Sequence, residues 1–272
     1  MPGAAGCSMP SAARRARCRR RTGADPVRIA VLGDVHGNLA ALEAVLRDLR
    51  AASPDAVVNL GDLVSGPFDP AGAAAAQMAL DARTIAGNHE RHVLEGGEGA
   101  SDAYARARLS AAQLRWMADL PGTLSLLEGR VFACHGSPAG GDLEYLLEDV
   151  DGGRTRLDRI EAIRPRLAGI GAAELVLCAH THVPRAVRVD GVLVVNPGSV
   201  GMPCYRDVEP VPHAMEAGAP EARYALVEHG PGGWRVELRA VPYDTEVAAL
   251  QAMRAGRPDL AHAARTGWLP AG

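Results

Sequence analysis

The sequence predicts an α/β protein, and two observations carry that prediction. From Val27 onward, short apolar runs alternate with Ala- and Leu-rich stretches of helical period, the pattern of a sheet covered by helices. The apolar runs also end in polar turns, as strands do when their C-terminal ends share one edge of a sheet. With 272 residues, 47% of them hydrophobic, the chain can bury a domain-sized core without covalent staples.

Residues 1–26 hold six Arg between Arg14 and Arg21 among Ala, Gly and Pro. They are expected to form a disordered, Arg-rich tail ahead of a single domain spanning 27–272. The tail lacks the apolar stretch of ~7–15 residues that a secretory signal needs. Residues 28–32 (RIAVL) read as the first strand and run into GDVHGN. Asn38 then caps a helix whose Leu39, Leu42, Val45, Leu46 and Leu49 share one face. Residues 56–60 repeat the scheme and end at Gly61 and Asp62, and residues 83–86 end in GNHE at 87–90.

Residues 101–120 are expected to be helical, with Leu109, Leu114, Trp116, Met117 and Leu120 as a packing face. Residues 131–133 lead into CHGSP, 175–178 into AHTHVP, and 192–195 into NPGSVG. The Pro- and Ala-rich stretch 203–221 reads as an irregular insertion or lid near the site. Residues 223–228 and 234–241 read as a hairpin, with an edge available to a second copy, and a last helix at 244–254 closes the domain.

Composition excludes several classes. A formal net charge of -3 gives no general attraction for nucleic acid, and 4% aromatic residues leave few platforms for stacking bases. No apolar run approaches the ~18 residues of a membrane span. The cysteines, Cys7, Cys18, Cys134, Cys178 and Cys204, are odd in number and form no CxxC pair. A disulfide framework is not expected, and the reducing cytoplasm is the expected compartment.

The chemistry concentrates at the strand ends, where Asp34, His36, Asp62, Asn88, His89, His135, His180 and His182 all fall. The pairs Asp34/His36 and His180/His182 are spaced i, i+2, which would point both side chains the same way from an extended segment. Seven such residues, leaving out His89, are too many for one ion, which takes three or four protein ligands in a zinc site. They suit two ions, and one carboxylate must then bridge. Carboxylate, amide and imidazole donors fit divalent first-row ions, Mn foremost, with Fe, Zn, Ni and Co also compatible.

GDVHGN, GD, GNHE, HG and HTH, in that order, resemble the signature of the calcineurin-like metallophosphoesterase superfamily. The NPGSVG turn followed by YALVE is similar to compact bacterial phosphoesterases of the YfcE type and to dinucleoside polyphosphate hydrolases. The resemblance implies a four-layer sandwich, two mixed β-sheets flanked by helices, rather than one doubly wound sheet. It implies that Asp34, His36 and His182 hold one ion and Asn88, His135 and His180 the other, with Asp62 bridging. It further implies that His89 faces the phosphate with Asn88, as proton donor or charge stabiliser, and Glu90 is a candidate to orient its ring. One departure is Ala179, where the family usually has Gly; it is compatible with a strand end if its φ is negative.

The function so implied is hydrolysis of phosphomonoesters or phosphodiesters, nucleotide-like small molecules foremost, by a metal-bridging hydroxide. The alternatives are a dinucleoside polyphosphate (anhydride) hydrolase and a non-catalytic scaffold of the same fold; the presence of His89 weighs against the scaffold. Arg91, His92 and Arg206 are weaker nominations for binding further phosphate or nucleotide groups. Ser137 and Ser199 lack a GxSxG setting, and Asn196 with Ser199 is expected to support the histidines. Cys134 and Cys178 read as buried apolar residues.

Overall fold

The computed structural model describes residues 27–97 and 99–271, so the expected Arg-rich tail at 1–26 lies outside the described residues. In chain order the first half comprises β1 (Val27–Leu32), α1 (Leu39–Ala52), β2 (Ala56–Asn59), α2 (Pro70–Met78), β3 (Arg83–Thr84), α3 (Asn88–Glu95), α4 (Ala100–Arg106), α5 (Ala111–Ala118), β4 (Thr123–Leu126) and β5 (Val131–Cys134). There follow β6 (Glu148–Asp149), β7 (Arg156–Leu157), α6 (Ile160–Arg166), β8 (Leu175–Leu177), β9 (Arg185–Val189) and β10 (Val192–Asn196). The chain finishes with β11 (Cys204–Asp207), β12 (His213–Glu216), β13 (Ala222–Gly230), β14 (Gly233–Val241), α7 (Thr245–Arg254) and α8 (Pro258–Thr266).

Two five-stranded sheets form, in the orders β14-β13-β1-β2-β3 and β4-β5-β8-β10-β9. Both are mixed: β1 pairs in parallel with β2 and antiparallel with β13, while β8 lies parallel to β5 and β10. Alternation along β1 shows how they stack. Ile29 and Val31 enter the core between the sheets, with Val58, Leu175, Leu177 and Val195, whereas Ala30 and Leu32 turn outward onto Leu42, Val45 and Leu49 of α1. Ile163 and Leu167 cover Val176 and Val194 on the outer face of the second sheet. The layers therefore run helix, sheet, sheet, helix, as the resemblance implied. Strands buried on both faces explain the nearly unbroken apolar run RIAVL.

The structure corrects the sequence expectation at several points. Residues 101–120 are two helices, α4 and α5, because Ser110 caps a new one through a hydrogen bond from Gln113 N at 3.3 Å. The stretch 203–221 contains the hairpin β11–β12, not an irregular lid, with Cys204 and Met215 turned inward. The chain does not end its helices at α7: α8 packs on it through small side chains, Ala248, Ala249 and Ala252 against Ala261 and Ala264. Among the described residues, no helix is long and apolar enough to cross a membrane, and Cys134, Cys178 and Cys204 are buried free thiols.

Candidate metal centre

The loops after β1, β2, β3, β5 and β8 converge at one edge of the sandwich. Backbone hydrogen bonds zip them together: Asp34 N donates to Gly61 O, His36 N to Asp62 O and Ala179 N to His135 O, all at 2.8–2.9 Å. The i, i+2 pairs do not converge by the pleat of an extended strand. Asp34, His36, Asp62, His180 and His182 all have positive φ, between 49° and 70°. Such backbone costs non-Gly residues about 1–3 kcal/mol each and persists where surrounding structure over-determines it. Ala179 is not among the positive-φ residues, so its methyl is tolerated where glycine is usual.

The side chains so aimed form two clusters that share Asp62. Asp34, His36, Asp62 and His182 form one and Asp62, His135 and His180 the other, each with ligand atoms within 4.8 Å of one another and all buried. Asn88, at the start of α3, is also buried and lines the same cleft. The hydrogen bonding fits a metal. His36 and His182 are each fixed through Nδ1, on Ser65 O at 2.6 Å and Met202 O at 2.7 Å, which leaves their Nε2 atoms facing each other at 3.0 Å. Burial is the main cause that lowers the two rings' basicity, His36 to about 4 and His182 well below its ordinary value. Both are therefore neutral, and two lone pairs point at one spot, an arrangement that an electrophile resolves. Asp34 Oδ2, Asn88 Oδ1 and His135 Nε2 are buried without a hydrogen-bond partner, although His135 Nε2 stands 3.2 Å from Asp62 Oδ2. A native fold rarely leaves so many polar atoms unsatisfied in one place without a ligand to receive them.

Glycine is required where this packing is tightest. A Cβ on Gly87 would lie 2.3 Å from Asp62 Oδ1 and 2.8 Å from the His135 ring, and Gly61, at φ +94°, would meet Gly87 N at 2.4 Å. Burial and the charge of Asp62 raise Asp34 to about 8, while His135, despite burial, is lifted by Asp62 to about 10.

His89 lines the cleft above these clusters, its side chain 28% exposed. Burial works against its charge, but Asp62 and Asp102 outweigh it and hold the ring at about 9, so it is an imidazolium at neutral pH. Its Nδ1 meets Asp102 Oδ1 at 2.7 Å. Glu90, expected to orient this ring, does something else. Its buried carboxylate accepts from the backbone N–H groups of Asp62, Leu63 and Gly87, each at 2.8 Å, and so fixes the loop that carries Asp62. Asp102, the actual partner of His89, comes from α4 and belongs to no motif.

The weaker nominations separate. Arg91 is engaged by Asp142 at 3.0–3.1 Å and does not line the cleft. Arg206 lines it but donates to Pro270 O at 3.0 Å; His92 also lines it, with Nδ1 3.9 Å from Asp102 Oδ2. Ser199 Oγ donates to Asp34 O at 2.7 Å, and Asn196 Nδ2 to Ala179 O at 2.9 Å, so both brace ligand loops. Tyr205, not anticipated, donates to His180 O at 3.1 Å and sets its ring edge-on to His182 at 4.7 Å.

Residues 27–215 match the family model of the calcineurin-like phosphoesterase superfamily domain. The chain belongs to that superfamily. A metallophosphoesterase from Sphaerobacter thermophilus superposes with a TM-score of 0.68 at 26% identity, covering 90% of this chain and 100% of its own. A hypothetical protein from Pyrococcus horikoshii OT3 shares the fold with a TM-score of 0.69 at 19% identity, over 90% of this chain and 100% of its own. An uncharacterized protein of Methanocaldococcus jannaschii is 24% identical over 248 residues, 81% of this chain and 89% of the relative. As a calcineurin-like phosphoesterase, this chain is a metal-dependent hydrolase of phosphoesters, and its clustered Asp and His side chains are suited to divalent ions.

Proposed function

We propose that the chain hydrolyses small phosphorylated molecules, monoesters or diesters, at a dinuclear centre. In this reading Asp34, His36 and His182 hold one ion, Asn88, His135 and His180 the other, and Asp62 is shared. The observation that carries it is the overlap of two buried ligand clusters in Asp62. Divalent ions bound there supply Lewis-acid neutralisation of the phosphoryl oxygens and an activated water for in-line attack. Mn²⁺ is the foremost candidate, since carboxylate, amide oxygen and imidazole donors suit it.

The protein's own groups complete the chemistry. His89, facing the cleft with Asp102 on its Nδ1, stabilises charge that develops on the phosphoryl oxygens and gives a proton to the departing oxygen. Asp102 accepts from Nδ1, which keeps the Nε2–H directed into the cleft. Glu90 and the glycines at 61 and 87 keep Asp62 where both clusters reach it. The positioned imidazolium favours turnover over a scaffold role. Free thiols at Cys134, Cys178 and Cys204 agree with the cytoplasm as the compartment.

Metal-stripped protein reconstituted with Mn²⁺ and assayed on nitrophenyl monoester and diester tests this reading, with Asp62→Asn as control. Metal-dependent turnover, reduced at least 100-fold (about 2.7 kcal/mol) in the control, is expected. Equal rates in both proteins would contradict it.

A further inference from the structure

We propose that the cleft is shaped for a single phosphoryl group esterified to an uncharged, apolar-faced alcohol, and that the segment after α7 selects that alcohol. This rests on the phosphoesterase reading of the metal centre. Two spaces open from that centre. The first, a cleft of about 480 Å³, runs from His36 and His89 to a wall built by Met202, Leu260, Leu269 and Pro270. The last three of these lie outside residues 27–215, the span that the family model matches.

The wall is tied down in advance. Gly218 N donates to Gly267 O at 3.1 Å, Leu269 N to Glu216 Oε1 at 2.9 Å, and Arg206 Nη2 to Pro270 O at 3.0 Å. Leu260, 4% exposed, packs with Phe68, Met202 and Ala252. Two charged groups beside it engage each other: Arg257 makes two hydrogen bonds to the Asp259 carboxylate, at 3.0 and 2.7 Å. What the wall offers an incoming alcohol is a preformed apolar surface.

The second space, about 650 Å³, adjoins the first through Leu143, His180, Asp207 and Glu209. Seven carboxylates line it; Glu148, Asp149 and Asp158 are paired with Arg185, Arg156 and Arg166, whereas Glu144, Asp151, Asp207 and Glu209 have no arginine partner among the described residues. Further phosphates extending that way would meet carboxylates, and like charges repel strongly where water is partly excluded. A polyphosphate is thereby disfavoured and a neutral alcohol is not. The reaction is hydrolysis: a water oxygen bonds to phosphorus, the bond from phosphorus to the alcohol oxygen breaks, and that oxygen takes a proton. Water's second proton stays on the inorganic phosphate that leaves.

The test compares kcat/KM of the Mn²⁺-loaded full chain for benzyl phosphate, 2-hydroxyethyl phosphate and adenosine triphosphate, before and after Leu269→Asp. The first two alcohols are of similar basicity, so their ratio reads the wall. Benzyl phosphate is expected to lead each of the others by about tenfold or more, chiefly through KM. Leu269→Asp should bring benzyl and hydroxyethyl phosphate to within about threefold at unchanged metal content. If that variant does not fold, Leu269→Ser is expected to move the ratio in the same direction. No benzyl preference, a preference that survives both substitutions, or faster use of the triphosphate would overturn the inference. Absence of metal-dependent hydrolysis of every ester would instead strike the phosphoesterase reading itself.

Discussion

His89 gives its Nδ1–H to Asp102 Oδ1 at 2.7 Å, joining the first turn of α3 to the first turn of α4. The contact fixes the orientation and raises the basicity of the ring that faces the cleft. Asp102→Asn is therefore expected to lower kcat by about 100-fold or more, with metal content and KM little changed. The sign of the pH effect follows from the same pair. His89 is useful while protonated, so activity falls as pH rises through its pKa, and removing the Asp102 charge moves that alkaline limb to lower pH. A pH profile of kcat/KM checks this; an unmoved limb would make Asp102 merely structural.

Metal binding should release protons. In the metal-free chain burial raises Asp34 and the charge of Asp62 raises His135, so both hold a proton more tightly than usual, while burial lowers His36 and His180. Ligands bind deprotonated. Titration calorimetry with Mn²⁺ in buffers of different ionisation enthalpy is expected to show more than one proton released per chain at pH 7. The release is expected to fall as pH rises through the alkaline range, and a pH-independent value would oppose the assigned ligand states.

Gly87→Ala tests the packing around the bridging carboxylate. The added methyl would intrude to 2.3 Å from Asp62 Oδ1. The displacement is expected to cost at least half the bound metal and most of the activity, read by elemental analysis and turnover on the same samples. Full metal occupancy in the variant would show that the Asp62 loop can yield.

Much of the cluster was legible in the sequence because carboxylate, amide and imidazole side chains are chemically distinctive and fall at the ends of apolar runs. The i, i+2 reading of Asp34/His36 and His180/His182 reached the right neighbours by the wrong geometry, since left-handed backbone, not pleat, aims them. Asp102 left no local signal: helix packing brings it to His89, and no spacing rule records that. The α8 helix was not anticipated, although Pro258 in its first turn and a face of Leu260, Ala261, Ala263 and Ala264 are both in the sequence. The β11–β12 strands have four residues each around a Pro-rich turn, too short for alternation to stand out. The apolar wall, assembled from segments more than fifty residues apart, exists only in the fold.

The sandwich core makes a prediction separate from chemistry. Leu175 is fully buried between the sheets, paired in register with Val131 and Leu193. Leu175→Ala is expected to lower unfolding free energy by about 2–5 kcal/mol through lost burial and the cavity left behind. Denaturant titration measures it, and activity per folded molecule should be unchanged.

The central claim is that two ions sit close enough to share Asp62. Electron paramagnetic resonance of the chain loaded with two equivalents of Mn²⁺ tests it most directly, because ions about 3.5–4 Å apart couple their spins. The expected spectrum is that of an exchange-coupled pair, lost in Asp62→Ala. A spectrum of isolated, uncoupled Mn²⁺ in the unaltered protein would contradict the dinuclear account.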